Sequence, residues 1–239
     1  MVELLLIDGK YTRKIELDAK ALGKLKKFKT LAVYAAVQFS SGLQSILAQL
    51  KKECITVVSS KPARTKEQFQ ILGCDVYHEN MHLQENVDAY LYIGDGRFHP
   101  LALVFQQRGQ KFKEVFMYDP IANALAILTE KDIDAILKKE KASLKLFLMK
   151  RRIGVLLTTK PGQLQFKASL ALLKKYPEKE FYFFLDNTLN SKNFENFPFI
   201  EVWVNTACPR IGLDDAVYMK QPLINLMDAL EAEKKLSGV

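Results

Sequence analysis

The sequence predicts an α/β protein built as two similar units, each a mainly parallel sheet flanked by helices on both faces. Three observations predict it. Short apolar runs such as TLAVYAA (30–36), AYLYIG (89–94) and IGVLLTT (153–159) lack strict alternation, as strands covered on both faces do. Segments with helical apolar spacing separate these runs. The alternation then restarts after a long lysine-rich helix at 130–151, which divides the chain at about residue 128 into units 1–128 and 129–239.

The elements follow in order. ELLLI (3–7) and TRKIEL (12–17) read as an N-terminal hairpin around Asp8-Gly9, a dipeptide suited to positive φ. A short helix, ALGKLKKF, leads to strand 30–36. Helix 41–52 carries Leu43, Ile46, Leu47 and Leu50 on one face. Strand CITVV (54–58) precedes a polar loop, and KEQFQIL reads as a short helix ending at Gly73-Cys74. Strand 89–94, the turn DGRFHP, helix LALVFQQRG and strand EVFMYD (114–119) complete the first unit. In the second unit strand 153–159 meets the turn KPGQ, followed by helix 164–176 and strand 180–186. A polar loop, strand FIEVWVNT (199–206) and a helix over 222–236 end the chain.

The 239 residues are 49% hydrophobic and 26% charged, which suits a soluble globular chain with a real core. The formal net charge of +8 comes from lysines spread along the sequence, read either as a solvated surface or as attraction to an acidic partner. Nothing matches a recognised nucleic-acid module. No run reaches the ~20 apolar residues that span a bilayer, and the N-terminus does not read as a signal peptide. These features predict a cytoplasmic protein with no membrane partner. The three cysteines, Cys54, Cys74 and Cys208, are an odd, widely spaced set that does not suggest disulfides.

Three polar clusters fall at the predicted carboxyl ends of strands, where open parallel sheets bind ligands. GDGRFHP places Gly94 and Gly96 for close backbone approach, with Asp95, Arg97 and His99 ahead of Pro100; it also reads as a plain strand-to-helix turn. KPGQ places Lys160, Gly162 and Gln163. NTACPRIGLDD places Cys208, Arg210, Asp214 and Asp215. The aspartates suit a cap or the binding of an ammonium or hydroxyl group, and Arg210 suits either them or a substrate carboxylate. Nucleotide fingerprints, C-x-x-C pairs and H-E-x-x-H are absent. Cys74, His78 and His82 form C-x3-H-x3-H, which on a helix would share a face and could hold a metal; the alternative is loop histidines.

QILGC (70–74), YIGDGRFHPLAL (92–103), YDP (118–120), KPGQ (160–163) and NTACPRIGLDD (205–215) together resemble, in order and spacing, the motifs of the diphthamide synthesis family. That family contains atypical radical S-adenosylmethionine enzymes, 2-(3-amino-3-carboxypropyl)histidine synthases. The resemblance implies a 4Fe-4S cluster held by three cysteines from three similar domains. It implies cleavage of S-adenosylmethionine and transfer of its 3-amino-3-carboxypropyl group to a histidine of translation elongation factor 2 or another protein acceptor. Cys74 and Cys208 match the second and third cysteine motifs. Gly94, Asp95, Gly96, Arg97, His99, Lys160, Gly162, Gln163, Arg210, Asp214 and Asp215 are the expected S-adenosylmethionine pocket. The family's first domain and its cysteine have no counterpart ahead of TLAVYAA, so the chain reads as a short form with an incomplete ligand set. Three routes stay open: a third thiolate from a homo- or hetero-oligomeric partner, a rearranged Cys54, or a non-catalytic paralogue or partner subunit that keeps the fold.

Overall fold

The computed structural model describes residues 9–83, 86–160 and 163–237. The chain divides into two compact units, Met1–Ile133 and Asp134–Val239. Among the described residues no helix is long and apolar enough to cross a membrane.

In the first unit α1 (Ala19–Leu25) starts at Asp18, whose carboxylate accepts from Ala21 N at 2.6 Å and so caps an orphan donor. There follow β1 (Thr30–Ala35), α2 (Leu43–Lys52), β2 (Thr56–Val58), β3 (Ala89–Ile93), α3 (Pro100–Phe105), β4 (Val115–Asp119) and β5 (Ala124–Leu128). The sheet order is β2-β1-β3-β4-β5. β1 to β4 are parallel, and β5 returns antiparallel along β4. β3 is buried along its whole length, as its unbroken apolar run requires. β5 was not among the expected strands. It is made by a tight turn in which Asp119 Oδ1 accepts from Ile121 N at 2.8 Å and Ala122 N at 3.1 Å, and Asn123 takes φ 49°.

Two expectations for this unit fail. Residues 12–17 form no strand. Ile15 and Leu17 are buried, but Gln49 of α2 takes the backbone pair of Leu17, accepting from its N at 2.8 Å and donating to its O at 3.0 Å. The other hairpin arm, 3–7, lies outside the described residues. KEQFQIL forms no helix either. The Gln70 side chain accepts from Lys66 N at 3.0 Å and Glu67 N at 3.2 Å, and Phe69 adopts φ 68°. The segment then bridges to the end of β1, so its backbone partners are in the sheet.

The second unit holds α4 (Asp134–Met149), β6 (Arg152–Thr158), α5 (Phe166–Lys175), β7 (Glu180–Asp186), α6 (Ser191–Phe194) and β8 (Val202–Asn205). α7 (Pro209–Leu213), β9 (Leu223–Asn225), α8 (Leu226–Leu230) and α9 (Ala232–Ser237) complete it. Its sheet is wholly parallel, in the order β7-β6-β8-β9. Val202 and Val204 of β8 face one core with Leu144, Phe147 and Leu172, while Trp203 faces another with Phe194 and Ile200. This is the two-residue side-chain period of a strand covered on both sides.

The helix expected over 222–236 begins as a strand: Leu223, Ile224 and Asn225 pair with Trp203, Val204 and Asn205. All three are buried, so edge pairing to β8 wins over helical continuation. The strand expected over 199–206 is shorter, Val202–Asn205: Phe199 lies in a turn whose Ile200 N donates to Phe197 O at 3.1 Å, and beyond the strand Pro209 opens α7. The helix expected over 130–151 begins with a separate single turn at Glu130–Asp132, where Thr129 and Asp132 form a reciprocal cap.

Candidate functional site

Each unit places one cysteine at the carboxyl edge of its sheet. In the first, Ala35 N at the end of β1 donates to Phe69 O at 2.7 Å, and Ile71 N donates to Ala35 O at 3.2 Å. The chain is thereby returned to the carboxyl edge just before Cys74. Leu72 N donates to Asp75 Oδ2 at 2.8 Å and closes the turn. The Cys74 thiol is half-buried, and Arg64 Nη1 donates to its Sγ at 3.3 Å. Cys54 precedes β2, whose Thr56 pairs with Thr30 at the start of β1, so it stands at the opposite edge. It is exposed, with φ 59°.

GDGRFHP lies against the Cys74 turn. A Cβ on Gly73 would fall 2.1 Å from the Phe98 ring. Gly94, at the end of β3, leaves room for buried Tyr92, whose hydroxyl would be 2.5 Å from a Cβ there. Gly96 turns the loop with φ 65°, a conformation that disfavours side chains. Asp95 Oδ1 accepts from Gln38 Nε2 at 2.9 Å, and Arg97 is ion-paired with Asp132. His99 directly precedes Pro100, the first residue of α3.

Beneath this surface the buried polar groups are strongly perturbed. Burial pushes the Asp75 carboxyl up, against the Leu72 N–H bond and the Arg64 charge, which favour the anion. Burial also raises the Tyr92 phenol far above its usual range. It pushes Tyr34 up to about 12 although its hydroxyl shares a 2.6 Å hydrogen bond with Ser60. Among the described residues neither Asp75 Oδ1 nor the Tyr92 hydroxyl, both buried, has a hydrogen-bond partner.

The C-x3-H-x3-H set does not assemble. His78 opens a single 3-10 turn, with Nδ1 3.2 Å from Gln106 Oε1, and His82 has φ 52°. No helix aligns the three residues. Among the described residues no group of three or more His, Cys, Asp or Glu side chains could hold a metal ion.

In the second unit Lys160 follows β6. Its N–H donates to Thr158 Oγ1 at 3.3 Å, and its carbonyl accepts from Gln163 N at 3.0 Å. Gly162 lies outside the described residues. Cys208 is half-buried between β8 and α7, on a turn held by two asparagines. Asn205 Nδ2 donates to Cys208 O at 2.9 Å and to Asn225 Oδ1 at 2.8 Å, its own Oδ1 accepts from Ala207 N at 3.1 Å, and Asn225 Nδ2 donates to Pro209 O at 2.9 Å. The ends of β8 and β9 are thus stapled across the cysteine.

Arg210, 4% exposed, donates from Nε to Asp214 Oδ2 at 2.7 Å. Of the two readings the sequence left open for it, pairing with the aspartates is the one seen here. The Asp215 carboxyl is raised by burial and by the Asp214 charge, with Arg210 partly opposing. Asp214 ends α7, and Asp215 opens the next turn.

Sequence reasoning missed Arg64, Asn205 and Asn225. Arg64 sits in a loop with no motif, and Asn225 fell inside the segment read as helix. The donor set suits an iron–sulfur cluster in part: each unit offers a half-buried thiol on a braced turn, two of the thiolates such a group needs.

The family model described as "Putative diphthamide synthesis protein" matches residues 10–236. A 2-(3-amino-3-carboxypropyl)histidine synthase of Pyrococcus horikoshii is 28% identical over 215 residues, 88% of this chain and 59% of that protein. One of Methanocaldococcus jannaschii is 32% identical over 141 residues, 57% of this chain and 39% of that protein. The human synthase subunit 1 is 26% identical over 210 residues, 87% of this chain and 45% of that protein. The crystal structure of Dph2 from Pyrococcus horikoshii with a 4Fe-4S cluster is 26% identical with TM-score 0.74, covering 92% of this chain and 62% of that one. The chain thus spans between 39% and 59% of the length of these synthases. The matched residues run through both units and every motif described above, and the chain belongs to the diphthamide synthesis protein family.

Proposed function

We propose that the chain serves in the transfer of the 3-amino-3-carboxypropyl group of S-adenosylmethionine to a histidine of translation elongation factor 2, in the cytoplasm. In this reading Cys74 and Cys208 are two ligands of a 4Fe-4S cluster. A single observation carries it. Both sheets present a half-buried thiol at the carboxyl edge, on turns braced by Asp75 and Arg64 in one unit and by Asn205 and Asn225 in the other. The same fold in a relative holds such a cluster. When bound, the cluster supplies the electron that cleaves the sulfonium bond.

The chain's own residues bind and orient. Gly94 and Gly96 bring backbone close to the S-adenosylmethionine. Asp95 and His99 of the first unit, and Lys160, Gly162 and Gln163 of the KPGQ segment, are the residues proposed to contact its polar groups. Arg97 and Arg210 act with their carboxylate partners Asp132 and Asp214, and Asp215 stands beside that pair. Cys54, at the opposite edge, is no ligand. The third thiolate comes from a partner subunit, either a second copy or a separate protein.

The test is anaerobic reconstitution of the full chain with iron and sulfide, alone and with other diphthamide-synthesis subunits, followed by visible absorption and iron content. A cluster lost in Cys74→Ala and in Cys208→Ala, and kept in Cys54→Ala, is the expected result. No cluster under any of these conditions overturns the proposal.

A further inference from the structure

The two cysteine turns are braced in different ways. Around Cys208 the asparagine bonds go to backbone, Asn205 to Cys208 O and Asn225 to Pro209 O, and the Arg210 guanidinium is ion-paired with Asp214. At Cys74 a guanidinium reaches the sulfur itself, with Arg64 Nη1 donating to Sγ at 3.3 Å. Arg64 makes no ion pair among the described residues.

The loop that carries Arg64 is held in place. Thr65 is buried, and its N and Oγ1 both donate to Pro62 O, at 3.0 and 2.9 Å. Ala63 N donates to Asn80 O at 3.2 Å, which ties the loop to the segment that follows Cys74. The Arg64 charge also bears on the buried Asp75 carboxyl, so the guanidinium lies over the corner formed by Cys74 and Asp75.

Hydrogen bonds to the sulfurs, net charge and solvent exposure set the potential of an iron–sulfur cluster. Reduction by one electron adds negative charge to the cluster and its thiolates, with no bond made or broken in the protein. A donor on a ligand sulfur and a positive charge beside it both favour that reduced form. A guanidinium supplies both, with a fixed charge and a planar fork of donors.

We infer that Arg64 sets the reduction potential of the cluster held at Cys74, raising it by stabilising the reduced form. The inference rests on the cluster reading above. It gives Arg64 a role beyond bracing the turn: it makes the electron easier to load before S-adenosylmethionine is cleaved.

The test is a redox titration of the full chain, reconstituted with iron and sulfide together with the diphthamide-synthesis subunits that its cluster requires. The sample is poised with dithionite and mediators, and the reduced cluster is read by electron paramagnetic resonance. Arg64→Gln is expected to keep the iron content and visible absorption of the wild type. At a given poise its ratio of reduced to oxidised cluster is expected to fall about tenfold, about 59 mV for one electron. Arg64→Lys keeps the charge without the fork and is expected to lie between the two. Lys66→Gln removes the same charge from the same loop, at a side chain with no bond to Cys74 among the described residues, and is expected to give a smaller shift than Arg64→Gln. An unchanged potential in Arg64→Gln overturns the inference and leaves the cluster reading standing. So does a shift no larger than that of Lys66→Gln, or loss of the cluster in Arg64→Gln, which reduces Arg64 to a brace. A wild type with no cluster overturns both.

Discussion

Asn225→Ala removes the staple that holds the Cys208 turn, and its cost can be worked from the hydrogen bonds. Asn225 Nδ2 donates to Pro209 O at 2.9 Å and Asn225 Oδ1 accepts from Asn205 at 2.8 Å, and both asparagines are buried. Truncation strips two bonds and leaves buried polar groups without those partners, at about 1–3 kcal/mol for each group left unsatisfied. For two groups a total of about 2–6 kcal/mol follows from that range. Trp203 is the chain's single tryptophan and is fully buried in the second unit, so its fluorescence reports unfolding of that unit alone. Urea titration of wild type and variant then gives the difference from the shift in midpoint at constant slope. The Cys208 thiol, released from its turn, should alkylate several-fold faster. A loss under about 1 kcal/mol together with unchanged alkylation would show that the asparagines do not hold the cysteine.

Three further variants test other parts of the structure. Gly96→Ala should cost about 1–2 kcal/mol, from left-handed backbone strain alone, since no atom lies within 4 Å of the new Cβ. Gly94→Ala should cost more, because buried Tyr92 cannot withdraw from a Cβ 2.5 Å from its hydroxyl; comparative thermal melts test the order of the two variants. Glu201 is held down to about 2, first by its bond from Arg152 N and further by Arg151 N and Lys150. Its folded value lies below the ordinary 4.5, so its contribution is present above that pH and is lost as pH falls toward 2. Trp203-monitored stability of the wild type should therefore fall more between pH 5 and pH 2 than that of Glu201→Gln, and equal slopes would refute the linkage.

Much of the frame was legible because burial on both faces leaves a strong mark. TLAVYAA, AYLYIG and IGVLLTT read as strands for the same reason that they lie inside sheets. The carboxyl-edge position of Cys208 was legible too, since it directly follows an apolar strand and precedes a proline. Cys74 was harder. It reaches the same edge because Phe69–Ile71 bridges to Ala35, a pairing between residues far apart in sequence.

Where local pattern and tertiary pairing disagreed, pairing won. KEQFQIL has helical composition, yet its backbone bonds go to β1 and to the Gln70 side chain. PLIN begins an amphipathic stretch, yet Leu223–Asn225 gains more by adding a buried strand beside β8. β5 carries mixed exposure and no clean alternation, and only its turn and its neighbour β4 define it.

The sequence by itself determined the class of fold, the doubled α/β pattern, the family and the cysteines to consider, because hydrophobic runs, helical spacing and motif order are local properties of the chain. Only the tertiary structure decided which partners those residues take. It put Arg64 on Cys74, Asn205 and Asn225 around Cys208, and Arg210 on Asp214. The physical reason is that hydrogen bonds, ion pairs and exposure depend on which distant segments the sheet brings side by side, and that information is absent from any short window of sequence.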